Sequence, residues 1–74
     1  MQWIDVNGHG FVVRERVVAV GSAESAPLRR LIGATALTHI VDLTGGEKRR
    51  TVLMLDSGHV VLTAVSLREW MTLG

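Results

Sequence analysis

Thr51-Val52-Leu53-Met54-Leu55-Asp56-Ser57-Gly58-His59-Val60-Val61-Leu62-Thr63-Ala64-Val65 decides how this chain must fold. Two apolar runs flank Asp56-Ser57-Gly58-His59, whose glycine and short polar side chains suit a tight reversal. Residues 51–55 and 60–65 are therefore predicted as the strands of a β-hairpin. A strand with one wet face alternates apolar and polar side chains, because neighbours point to opposite sides of the sheet. Here Val52, Leu53, Met54 and Leu55 are apolar on both sides, and so are Val60, Val61, Leu62, Ala64 and Val65. Leaving such side chains in water forfeits about 1.5–3 kcal/mol each, so both faces need a cover. One cover is a helix predicted upstream. The other is either a partner subunit or a short C-terminal helix.

The upstream helix announces itself by a change of period. Ser25 is a suitable N-cap and Pro27 fits the first turn, where its missing N–H costs nothing. Leu28, Leu31 and Ile32 share one face, with Thr35 a turn further on, so the helix is predicted from Ala26 to Thr38. Ile40 to Leu43 has strand character, and Thr44-Gly45-Gly46-Glu47-Lys48 reads as a loop. Towards the N-terminus, Trp3–Val6, Phe11–Val13 and Arg16–Val20 read as short strands. The first two are separated by the turn Asn7-Gly8-His9-Gly10, and Arg14-Glu15 forms either a tight hairpin or a bulge. Gly21 to Glu24 breaks the strand pattern. Beyond the hairpin, Ser66-Leu67-Arg68-Glu69 is a capping box that opens a helix through Trp70 and Leu73. The expectation is an α+β fold over residues 1–74 as a single domain: a small antiparallel β-sheet, one main helix and a short C-terminal helix.

Composition narrows the function classes. A 74-residue chain buries only about 60% of its unfolded surface, so small domains lean on disulfides, metals or self-association. There is no cysteine, and His9, His39 and His59 lack ligand-type spacing, so neither a metal nor another cofactor is expected. Self-association into a homo-oligomer is the remaining route. No apolar run is long enough to span a bilayer, and the first residues lack the charged and apolar regions of a signal peptide. A soluble, cytoplasmic protein without a membrane partner is expected. Asp56, Ser57 and His59, with Asp42, contain the residue types of a hydrolytic triad. Such a triad needs a cleft that this chain can hardly build, so neither catalysis nor a small-molecule substrate is expected. Trp3 and Trp70 are read as core or subunit-interface residues. The net charge is only +1, but the bases are clustered: Arg14 and Arg16, Arg29-Arg30, and Lys48-Arg49-Arg50.

From Ser25-Ala26-Pro27-Leu28-Arg29-Arg30 onward the chain resembles the RemA-type regulators, small bacterial proteins that control extracellular-matrix (biofilm) genes. The resemblance continues through Asp42-Leu43-Thr44, the basic loop, and Asp56-Ser57-Gly58-His59 running into Val60–Val65, and covers roughly Gly8 to Trp70. It implies a DNA-binding transcriptional regulator without enzymatic activity. It also implies a fold like that of LytTR DNA-binding domains and a ring of heptamer type displaying a basic surface. Carried over by position, the family's strand arginine falls on Arg16. Its Gly-Arg-Arg-Thr-Arg loop falls on Gly46-Glu47-Lys48-Arg49-Arg50, with Glu47 in an arginine's place, or, in a shifted register, its Arg-Arg-Thr falls on Arg49-Arg50-Thr51. The implied contacts to double-stranded DNA are Arg16, Lys48, Arg49 and Arg50. Arg29 and Arg30 are either further DNA contacts or intersubunit salt bridges. No recognition helix stands out, so phosphate and shape readout should dominate. The competing reading is a structural or protein-binding assembly module that does not touch DNA.

Overall fold

The computed structural model describes residues 1–73. Strands β1 (Trp3–Asp5) and β2 (Phe11–Val13) form an antiparallel ribbon. Then come β3 (Val17–Ser22), α1 (Ala26–Ala34), β4 (Ile40–Leu43), β5 (Thr51–Leu55), β6 (Val60–Thr63) and α2 (Leu67–Leu73). A four-stranded sheet has the order β3-β5-β6-β4. The expected hairpin is its centre, with Thr51 opposite Thr63 and Leu53 opposite Val61.

The sheet is antiparallel except that β4 runs parallel to β6. The reason is the connection. Helix α1 carries the chain back along one face, so β3 and β4 point the same way, as strands joined by a helical crossover must. The β5–β6 hairpin sits between these two edges. Helix α1 lies close to β3 because Gly21 has no side chain: a Cβ there would overlap the Leu28 side chain. That close approach explains why Gly21 and Ser22 belong to the strand, paired with Val52 and Thr51, rather than breaking it as the sequence suggested.

The hairpin's two apolar faces are both covered within the chain. On one side Ala23, Val52, Val60 and Leu62 pack against Leu28, Leu31 and Ile32 of α1. On the other, Leu53, Val61 and Val65 pack with Val6 and Val12 of the ribbon segment and Trp70 of α2. The C-terminal helix thus contributes as expected, and the N-terminal ribbon supplies cover that the sequence pattern did not assign to it. The hairpin's demand for a partner subunit is met internally, so any self-association belongs on other surfaces.

Helix α1 ends at Ala34, one turn earlier than predicted. The Thr35 hydroxyl donates back to the Leu31 carbonyl at 2.6 Å while its own backbone turns extended. Leu37 is 86% exposed, so no apolar contact holds a further turn, and residues 37–39 form a 3₁₀ turn into β4. Arg14–Arg16 resolves as a 3₁₀ turn between β2 and β3. Strand β6 stops at Thr63, before the predicted Val65. There the Thr51 hydroxyl donates to the Val65 carbonyl and the Thr63 hydroxyl accepts from the Val65 N–H, ending the ladder with side chains. Among the described residues no helix is long and apolar enough to cross a membrane.

Candidate nucleic-acid interface

Strand register gathers most of the positive charge at one end of the sheet. Ser22 pairs with Thr51, Thr51 with Thr63, and Thr63 with Leu43. The start of α1, the β4–β5 loop and the start of α2 therefore emerge together. Of the eight Lys and Arg residues, Arg29, Arg30, Lys48, Arg49, Arg50 and Arg68 belong to these segments. Arg14 and Arg16 belong to the β2–β3 turn. Arg16 is paired there with Asp56 at 3.3 Å, beside the far end of β5. It lies roughly 15 Å from the basic loop, given about 3.3 Å per strand residue. The four residues implied as DNA contacts are thus not one patch. Lys48, Arg49 and Arg50 are brought together, and Arg16 is set apart.

The loop is held at both ends. Asp42 Oδ1 accepts from the Thr44 N–H at 2.9 Å and the Thr44 hydroxyl at 2.6 Å. The Thr44 hydroxyl and N–H hold the Asp42 carboxyl below its ordinary value, aided by the charge of Arg49. The Gly46 N–H in turn donates to the Thr44 hydroxyl. Gly45 has φ +65°, and a Cβ there would overlap the imidazole of His9, which reaches over from the β1–β2 turn. At the other end, the Arg50 N–H donates to the Thr63 carbonyl at 2.7 Å and its carbonyl accepts from the Ala23 N–H. The basic residues thus sit on a short tip between fixed points.

The tip has two flanks. Lys48 and Arg50 line a polar depression with Ser22, Glu24, Ser66 and Leu67. Arg49 lies on the other flank, in a shallow depression with Ala26, Arg29 and Arg30. Lys48 forms an exposed ion pair with Glu24 at 3.4 Å, the kind of pairing that contributes little and exchanges readily. Arg29, Arg30, Arg49 and Arg50 form no ion pair among the described residues. Guanidinium groups held this way can fork two N–H donors onto one phosphate.

The triad-type residues are engaged elsewhere. Ser57 Oγ lies 2.7 Å from His59 Nδ1, but the Asp56 carboxylate is directed at Arg16 and that of Asp42 at Thr44. The His59 ring lies instead against His39, centroids 4.9 Å apart. Trp70 is in the core, whereas Trp3 is 61% exposed and meets Phe11 edge-to-face at 6.5 Å on the ribbon's outer side.

The model of the RemA-like family, described as extracellular matrix regulatory protein A-like, matches residues 3–70. The chain belongs to this family. A relative in Dictyoglomus turgidum is 42% identical over 66 residues, covering 88% of this chain and 78% of its own. Another, in Oleidesulfovibrio alaskensis, is 43% identical over 63 residues, covering 84% and 75%. A third, in Synechococcus sp. (strain JA-2-3B'a(2-13)), is 41% identical over 63 residues, covering 84% and 71%. Each is designated, provisionally, a regulatory protein. Family and relatives point to a regulatory role rather than an enzymatic one for this RemA-like chain. Sequence reading missed the meeting of Arg49 with Arg29 and Arg30. Proximity between a loop and a helix some 20 residues apart leaves no periodic trace.

Proposed function

We propose that this RemA-like protein is a transcriptional regulator of the type that controls extracellular-matrix genes, acting in the cytoplasm. It binds the backbone of double-stranded DNA as a ring-shaped homo-oligomer. The observation that carries the reading is the collection of cations at one end of the sheet. Among the described residues, Arg49 and Arg50 stand there free of ion pairs on a tethered loop. Each phosphate neutralised releases condensed counterions, which drives binding without base-specific contacts. One protomer offers few contacts and binds weakly. A ring repeats them on one face, and avidity multiplies a modest affinity. Arg16, a strand's length from the loop, contacts a phosphate several base pairs away once its pairing with Asp56 opens.

Fluorescence anisotropy with duplex DNA across a salt series, with the assembly's mass measured in the same buffer, tests this. The expected result is a large assembly whose affinity falls steeply with salt and collapses in Arg49→Ala/Arg50→Ala. A large assembly that fails to bind even at low salt would instead be an assembly module without DNA contact.

A further inference from the structure

Arg29 and Arg30 are the fourth and fifth residues of the nine-residue helix α1. The first turn of α1 contains no acidic residue. Arg49 approaches the same place from the β4–β5 loop, so three guanidinium groups from two elements line one depression of about 500 Å³, with Ala26 as its remaining lining residue. Among the described residues, none of the three is ion-paired. Asp42 is the carboxylate that feels the charge of Arg49, but it is bound by Thr44. Three like charges around one depression repel one another. An anion placed among them removes that repulsion and accepts several charge-assisted hydrogen bonds at once.

We propose that the Arg29–Arg30–Arg49 depression is a second phosphate-binding site, taking a phosphodiester of the DNA backbone beyond those held by the loop tip. This rests on the DNA-binding reading and extends it. Arg49 joins the two sites: the loop tip grips one phosphate with Arg50 and Lys48, and α1 grips a neighbour through Arg29 and Arg30. The footprint of a protomer then spans both flanks of the loop instead of its tip alone. Of the two roles left open by the sequence, DNA contact or intersubunit salt bridge, the proposal takes DNA contact because the depression is shared with Arg49 of the basic loop.

The test compares the full-length wild type with Arg29→Ala/Arg30→Ala, Arg29→Lys/Arg30→Lys and Arg49→Ala/Arg50→Ala. Duplex affinity is measured over a salt series, and the mass of each assembly is recorded. In the alanine pair the slope of log K against log salt should fall by about one for each phosphate that is no longer neutralised, at unchanged mass. The lysine pair, which keeps the charge, should retain most of the slope. If the alanine pair keeps the wild-type slope while the loop variant does not, the second site does not exist and the loop reading stands. If the alanine pair instead lowers the mass of the assembly, the two arginines are interface residues and the proposal is overturned. If the wild type itself does not bind duplex DNA, the DNA-binding reading fails and the second site fails with it.

Discussion

At the scale of single residues, a buried hydroxyl pair connects the core to the basic β4–β5 loop. Thr51 and Thr63 are fully buried, face each other across β5 and β6, and hydrogen-bond to one another. Thr51 Oγ1 also accepts from Trp70 Nε1–H at 2.8 Å and donates to the Val65 carbonyl. All its capacity is therefore used, and Thr51 directly follows the basic tip. Thr51→Val keeps the shape but leaves the indole N–H and the Val65 carbonyl short of their partner. The expected cost is about 1–3 kcal/mol, read as a lower denaturant midpoint at unchanged slope. A change within error of zero would mean that water or Thr63 replaces the hydroxyl. Asp42 gives a pH prediction. Its pKa is lowered below 3.8 by the Thr44 hydroxyl, then the Thr44 N–H, with Arg49 contributing least and slight burial opposing. A carboxyl depressed on folding stabilises above its unfolded pKa, and that contribution is lost as pH falls through the folded value. The Thr44 tether should hold down to about pH 3.8 and weaken below it. Asp42→Asn, which keeps an acceptor but no charge, should abolish this acid step. Exchange protection of the Thr44 amide, followed on acidification from neutral pH, is the measurement, and a flat wild-type profile would count against the tether.

At the scale of elements, the β4–β5 loop sets one acid, Glu47, beside the three bases Lys48, Arg49 and Arg50. In the proposed complex its carboxylate would repel the phosphates that Lys48, Arg49 and Arg50 attract. Glu47→Gln should therefore tighten duplex binding about two- to fivefold at low salt, the scale of a surface charge effect, and less at high salt. Weaker binding would show that Glu47 organises the loop instead of opposing the ligand. The elements themselves were largely legible in the sequence. The two-sided apolar hairpin and the Ser66–Glu69 box reported local chemistry that the fold preserves, down to the Ser66 hydroxyl accepting from the Glu69 N–H. Helix α1 starts after Ser25 with Pro27 in its first turn, although the Ser25 side chain makes no capping hydrogen bond. What was not legible depended on packing between distant segments. The early end of α1 follows from Leu37 having nothing to pack on. The extension of β3 through Gly21 follows from Leu28 occupying the space of an absent Cβ. The site was legible to a similar depth: the loop's bases are visible as a run, whereas the separation of Arg16 and the convergence of Arg29, Arg30 and Arg49 are consequences of topology.

At the scale of the whole molecule, the question is which surface would close the proposed ring, given that the hairpin is already covered. The strongest candidate is the ribbon's outer side. Trp3 and Phe11 are 61% and 63% exposed, and they line an apolar groove with Val41, Leu43, Leu55 and Arg16 next to the edge strand β4. Aromatic side chains bury about 150–250 Å² each, so two of them in water on an 8.1 kDa chain form a large apolar patch for a free monomer. Ring closure needs two different surfaces that fit head to tail. The opposite sheet edge, β3, offers a second apolar position in Val18, which is 70% exposed. Joining protomers edge to edge in this way would leave the basic ends of all the sheets facing the same side, which is what multivalent contact with one duplex requires. Trp3→Ser/Phe11→Ser should lower the mass of the assembly towards that of the monomer without changing its circular dichroism, because neither side chain belongs to the core. Val18→Asp, on the opposite edge, should do the same independently. Duplex affinity should fall far more than the removal of any one cation would cause, since it is the repetition of the site that disappears. An assembly of unchanged mass in both variants would exclude these two edges as the ring contacts, whatever its DNA affinity.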